Sequence, residues 1–217
     1  MVLDAAPAKP RLRGRIHEVA FFVSIPAGVA LVLVAQSPLG RVVAAIYAVS
    51  LSAVFASSAA YHRGRWSPAA LRRMKRLDHS LIYVLIAGSY TPVAALALHG
   101  AWSTVVLSVV WVGAAVGVVL KLVRIDGLRV ATGILYLALG WFALVALPQL
   151  VRGVSPAALA LMLAGGLLYT VGAIVFASRR PDPRPATFGY HELWHSFMTA
   201  AVVCHWTMIL LLLRASG

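Results

Sequence analysis

The chain has 217 residues, of which 61% are apolar and 12% charged, and its formal net charge is +13. A soluble domain of this length covers its surface with about a quarter charged residues, so charge missing from whole stretches excludes that class. The basic excess lies in short segments between apolar ones and forms no single polar face, which sets nucleic acid aside as a partner.

Residues 1–15 are polar and basic, with Pro7 and Pro10, and read as a loose, disordered cytoplasmic arm. Residues 16–217 then form one transmembrane domain. Residues 17–37, 42–61 and 154–178 contain no Lys or Arg, and Glu18 is their one acid. About 20 such residues are needed to cross the roughly 30 Å hydrocarbon core, and only a helix satisfies its own backbone there without a closed barrel. The first span is placed at 17–36. It is no signal peptide, because no small-residue cleavage site and soluble sequence follow it, whereas six similar segments do. The others are placed at 41–62, 79–98, 101–122, 128–150, 155–178 and 188–213. Breakers fall between them: Ser37-Pro38-Leu39-Gly40, His99-Gly100, Asp126-Gly127, Arg152-Gly153 and the proline-rich run from Pro181 to Pro185. Pro26 and Pro92 lie inside spans and are expected to kink them.

Between the second and third spans, Ser67-Pro68 is a helix start, with a capping hydroxyl and proline in the first turn. Leu71 and Met74 share one face there, and Arg72, Arg73, Lys75 and Arg76 cover much of the rest. That pattern suits a short helix lying on an anionic leaflet; the same charges also serve simply to set topology. Cys204, the single cysteine, sits in an apolar run and has no partner for an intramolecular disulfide.

Alternate loops differ sharply in charge. Lys9, Arg11, Arg13 and Arg15 of the arm fall on one side, with Arg63, Arg65, Arg72, Arg73, Lys75 and Arg76, then Lys121, Arg124 and Arg129, then Arg179, Arg180 and Arg184. The other side holds Arg41, Arg152 and Arg214. Positive loops stay inside, so the N-terminus is expected in the cytoplasm and the C-terminus outside. The fold class is thus an all-α membrane protein, a seven-helix bundle.

All six acids (Asp4, Glu18, Asp78, Asp126, Asp182 and Glu192) fall on that cytoplasmic side. Ionisable groups at the edge of a span are costly, and each is a candidate for function. His62 ends the second span, Asp78 opens the third, and His191 and His195 open the seventh, all at one membrane face. His191 and His195 are four apart, about 6 Å along a helix axis, so both imidazoles stack on one side and can grip one metal. His62 is the histidine at matching depth for a third ligand. Three neutral imidazoles suit zinc and leave a fourth position for water. Asp78 could hold and deprotonate that water from behind the ligands, and Ser58, one turn before His62, could add a hydrogen bond. The bland alternative is a pair of interfacial histidines with no metal.

The run from His191 to His195 also fits the short H-E-x-x-H pattern, in which the glutamate is general base; alternatively Glu192 favours the positive end of the helix. His205 lies about 15 Å deeper than His195, too far for the same ion, and is expected to bond a neighbouring helix. His17 reads as interfacial, His99 as part of an outer turn, and His79 as pointing about 100° away from Asp78.

Three blocks resemble the hemolysin III group of the progestin and adipoQ receptor family: Ser57-Ser58-Ala59-Ala60-Tyr61-His62; Leu77-Asp78-His79-Ser80 running on to Ala87-Gly88-Ser89-Tyr90-Thr91-Pro92; and Tyr190-His191-Glu192-Leu193-Trp194-His195-Ser196-Phe197, with His205 downstream. The resemblance implies a zinc ion (Zn2+) on His62, His191 and His195, with Asp78 and Ser58 as the catalytic residues beside the water. The wider superfamily includes alkaline ceramidases, so it implies a zinc-dependent hydrolase of a lipid amide or ester in a bacterial inner membrane. Membrane lipids would be its surroundings, and a lipid-like substrate or ligand would enter the bundle. Other branches are described as receptors, and the hemolysin III name comes from pore-forming, cytolytic activity. A non-enzymatic pore or sensor with structural zinc is therefore the alternative. Glu192 stands where the receptor branch commonly has glutamine, and the long N-terminal domain of the adiponectin receptors is missing.

Overall fold

A computed structural model describes residues 9–216, apart from the side chain of Arg129. Residues 1–8 of the arm, Asp4 and Pro7 among them, and Gly217 lie outside the described residues. The helices are α1 (Arg15–Val34), α2 (Pro38–Arg63), α3 (Pro68–Ala97), α4 (Ala101–Val123), α5 (Arg129–Trp141), α6 (Leu147–Gly153), α7 (Pro156–Ser178) and α8 (Tyr190–Ala215). A 3₁₀ turn, Phe142–Ala146, joins α5 to α6. Seven segments are long and apolar enough to cross a membrane, the fifth comprising α5, the turn and α6 together.

Serine and proline start three of these helices. Ser37, Ser67 and Ser155 each accept a hydrogen bond from the backbone N–H three residues on, at 3.0, 3.3 and 3.2 Å, with proline in the first turn. The cap satisfies one of the orphan donors of the first turn, and proline has no donor to waste there. Because nothing between Ala69 and Ser80 breaks a helix, the amphipathic turn around Arg72 runs straight into the third span. It is the first part of a 30-residue helix, not a separate surface helix. Both α1 and α3 are continuous through Pro26 and Pro92.

The break in the fifth span differs from the single helix expected over 128–150. Pro148 lacks an N–H, and its ring clashes with the carbonyl four residues back, which disfavours a regular helix through Leu144. Tyr90 of α3 repairs the interruption: its hydroxyl donates to the Gly140 carbonyl at 2.9 Å and accepts from the Ala143 N–H at 2.7 Å. In hydrocarbon, such freed backbone groups need a protein partner.

Sequential neighbours pack together along α1, α2, α3 and α4, and α7 packs on α8. α1 meets α8, so the ends of the chain's helical series lie side by side, while α3 touches α2, α4, α5, α6 and α8 and is the most buried span. The core holds Tyr47, Leu51, Phe55, Tyr83, Leu150 and Ile209. Close approach of α7 to α8 depends on Gly172, where a Cβ would lie 2.7 Å from the Trp194 ring. Phe22, Leu33, Val112 and Ile134 are exposed on the outside. They face the bilayer, so the protein is an integral membrane protein in contact with membrane lipids.

Ion pairs tie together the segments assigned to the cytoplasmic side. Arg13 pairs with Glu192, Arg63 with Glu18 at 3.2 Å, and Lys75 with Asp126. All three join elements separated by an even number of crossings, which is what alternating spans require.

Candidate metal centre

His62 lies on the last turn of α2, and His191 and His195 on the first two turns of α8. The local sequence fixes both ends. The α2 helix stops at Gly64, whose backbone is extended. The α8 helix starts after Gly189, whose N–H donates to Glu192 Oε2 at 2.8 Å, while the Tyr190 N–H donates to Asp182 Oδ1 at 2.9 Å. These carboxylates occupy the positive end of the helix and satisfy its first donors.

One nitrogen from each of the three imidazoles lies within 4.8 Å of the others. His62 Nε2 and His191 Nε2 are 3.2 Å apart. Ring centroids are 4.7 Å apart for His62 and His191, 4.7 Å for His191 and His195, and 5.2 Å for His62 and His195. His62 and His195 are buried and His191 half-buried. Two bonds of about 2.0–2.1 Å from one tetrahedral ion hold their nitrogens about 3.3 Å apart, close to the His62–His191 separation. The residues present therefore fit a metal ion, to which this group, as it stands among the described residues, could offer three ligand nitrogens.

Ser58 is buried one turn before His62, but its hydroxyl is engaged with a residue the sequence reading left at the interface. His17 Nδ1 and Ser58 Oγ share a hydrogen bond of 2.8 Å. The His17 ring also stacks on His195, with centroids 3.8 Å apart and planes 14° from parallel, and meets Phe55. His17 is 1% exposed, so it is not interfacial. It is packed against Ser58 and Phe55 of α2 and His195 of α8, long-range contacts that no local pattern announces. The available signal was its level: it begins the first span at the same face as His62.

Asp78 is buried at the same end of the bundle, on α3. Its Oδ2 lies 3.4 Å from His79 Nδ1, and that nitrogen also donates to the Lys75 carbonyl at 2.9 Å. His79 thus reaches its neighbouring aspartate despite the angular offset. Tyr61 bridges the two regions, its ring 4.5 Å from His62 and 6.5 Å from His79. Among the described residues, none of the three clustered histidines lies within 4.0 Å of the Asp78 carboxylate.

Glu192 is fully buried and committed at both oxygens, Oε1 to Arg13 Nε and Oε2 to the Gly189 N–H. Its role is to hold the start of α8 and the chain before α1, so the H-E-x-x-H reading with Glu192 as a free base is not supported. His205 donates from Nε2 to the Met162 carbonyl of α7 at 3.3 Å, as expected for a residue too deep to join the cluster. A cavity of about 50 Å³ lies there, lined by Ser89, Tyr90, Gly140, Trp141 and His205 among others. It has room for a few water molecules and does not include the three histidines.

The sequence profile of the Haemolysin-III related family matches residues 6–206. Hemolysin-3 of Bacillus cereus is 32% identical over 185 residues, 84% of this chain and 81% of the relative. The Hemolysin-3 homolog of Bacillus subtilis (strain 168) is 32% identical over 185 residues, covering 84% of each. Monocyte to macrophage differentiation factor of Homo sapiens is 27% identical over 179 residues, 78% of this chain and 69% of the relative. The profile match spans nearly the whole chain, and with two relatives at 32% identity it shows that this chain belongs to the Haemolysin-III related family, within the progestin and adipoQ receptor group.

Proposed function

We propose that the chain is a zinc-dependent hydrolase of a lipid amide or ester, working at the cytoplasmic face of a bacterial inner membrane. The observation that carries this reading is the cluster itself: three converging imidazoles, with no fourth protein ligand among the described residues, leave a coordination position open. Open positions mark catalytic sites, and closed four-ligand sets mark structural ones. Zinc would supply Lewis acidity and an activated water at neutral pH. His62, His191 and His195 hold it. The His17 ring, fixed by Ser58, keeps the His195 imidazole from turning out of the cluster. Asp78, buried at the same end of the bundle with its Oδ2 3.4 Å from His79 Nδ1, would be the base that takes up the proton released when water attacks the carbonyl carbon. The buried surroundings exclude bulk water from this end of the bundle.

A second reading is favoured by the names of the two bacterial relatives, Hemolysin-3 and Hemolysin-3 homolog. In that reading the chain permeabilises membranes and the metal is structural. Asp78→Asn separates the two. Asparagine leaves the ligands untouched, so zinc content stays at about one ion per chain. Hydrolysis of ceramide-like substrates falls about 10²-fold or more, the scale of losing a general base. Wild-type protein that hydrolyses nothing, yet permeabilises vesicles in a zinc-dependent way that the variant retains, would replace the hydrolase reading with the cytolytic one. Loss of zinc in the variant would make Asp78 a direct ligand.

A further inference from the structure

We infer that residues 9–17 are a strap forming the cytoplasmic wall of the metal centre, and that Arg13 and Glu192 fasten it and so set how readily the histidine cluster meets water. The described part of the arm is not loose. The Arg11 and Leu12 N–H groups donate to the Ala186 and Thr187 carbonyls, both at 3.1 Å, so the strap is hydrogen-bonded to the segment leading into α8. Lys9 Nζ donates to the His62 carbonyl at 3.0 Å. Arg13 reaches Glu192, the residue between the two ligands of α8. His17 then stacks on His195. Each of the three clustered histidines is thus held, or flanked at the next residue, by one point of the strap.

Two features show that the fit is built. Gly14 has φ 80°, a left-handed conformation that favours glycine. A Cβ there would lie 2.7 Å from His62 Cβ, so the backbone runs against the ligand's own side chain with no room for another atom. The second feature is the ion pair. Among the described residues it is the one salt bridge with a fully exposed-free member: the Glu192 side chain is 0% exposed and that of Arg13 17%. Exposed pairs such as Arg15 with Glu18 hold little, whereas a charge buried as Glu192 is must keep its partner. Of the strap's contacts, the Arg13–Glu192 pair is therefore the one whose loss leaves a buried charge.

The test separates fastening from folding. Arg13→Ala alone leaves a buried charge and risks misfolding, so the working variant is Arg13→Ala with Glu192→Gln, which keeps the Gly189 cap and buries no unpaired charge. Metal-stripped protein in detergent is treated with diethylpyrocarbonate, a water-borne reagent for imidazoles, and labelling is read peptide by peptide. In the double variant His62 and His191 should label faster by on the order of tenfold, a change in opened population of about 1.4 kcal/mol. His99, at the opposite end of the bundle, should be unchanged, and Arg13→Lys should label slowly like wild type. In zinc-loaded protein, loss of zinc to EDTA should quicken in parallel. This last measurement rests on the metal reading proposed above, while the labelling does not. A wild type without zinc would overturn that reading and leave the labelling to decide the strap. Equal labelling of His62 and His191 in wild type and double variant would overturn the strap.

Discussion

Breaking the Arg13–Glu192 pair from its two ends should give unequal losses of stability, and the inequality follows from burial. Removing Arg13 as alanine leaves a carboxylate whose side chain is 0% exposed. Stranding a charge in this way typically costs about 3–5 kcal/mol. Replacing Glu192 with glutamine leaves a guanidinium that is already 17% exposed and can turn toward the cytoplasm. Glutamine also still accepts from the Gly189 N–H, so only the charge-assisted hydrogen bond is lost, about 1.5–3 kcal/mol. For a chain of this size, each kcal/mol moves the midpoint by about 2–4 °C. Arg13→Ala should therefore melt about 6–20 °C below wild type, and Glu192→Gln about 3–12 °C below. Unfolding followed by intrinsic fluorescence in one detergent, with both variants side by side, measures the difference. A Glu192→Gln variant that is less stable than Arg13→Ala would refute the reasoning, because the buried carboxylate would then not be the group that needs its partner.

His195→Ala should empty the metal site and lower the melting temperature of zinc-loaded protein to that of the stripped form, because an ion that binds only the folded state stabilises it; elemental analysis and melting of both forms check this. Tyr90→Phe removes the hydroxyl that serves Gly140 and Ala143, and should cost about 1–3 kcal/mol for a buried group left unpaired, measured by the same melting assay. A reporter fused at the C-terminus should lie outside the cytoplasm and one inserted near Arg72 inside; both on one side would mean a miscounted span.

The spans were legible because apolar length is a one-dimensional quantity: 101–122 and 155–178 match α4 and α7 to within a residue. The clustering of the three histidines was legible for a related reason. Four-residue spacing places His191 and His195 on one face, and depth in the membrane brings His62 to them. What the sequence hid was contact between distant segments. From the sequence His17 looks like any residue at a span's edge, whereas the fold packs it against Phe55 and His195 and joins it to the Ser58 hydroxyl. The break at Phe142–Ala146 was hidden differently. Pro148 announces it, but the hydropathy of the segment runs through unbroken, and only the Tyr90 hydroxyl shows how the interruption is tolerated.

Glu192 illustrates why a motif has to be judged by where its atoms go. In the H-E-x-x-H arrangement the glutamate serves as base only if an oxygen points at the open side of the ion. One residue after His191 on a helix, Glu192 is turned about 100° from that ligand. Here the turn takes it to the helix start, where Gly189 and Arg13 claim its two oxygens. A carboxylate spent on a cap and an ion pair is poorly placed to accept a proton from water, since doing so would release both contacts at once. The other buried acid at this end of the bundle is Asp78, on a different helix, with one oxygen 3.4 Å from His79 Nδ1. If the site is hydrolytic, the division of labour runs across helices: α8 supplies two ligands and anchors the strap, α2 supplies the third ligand, and α3, the helix in contact with most of the bundle, supplies the base.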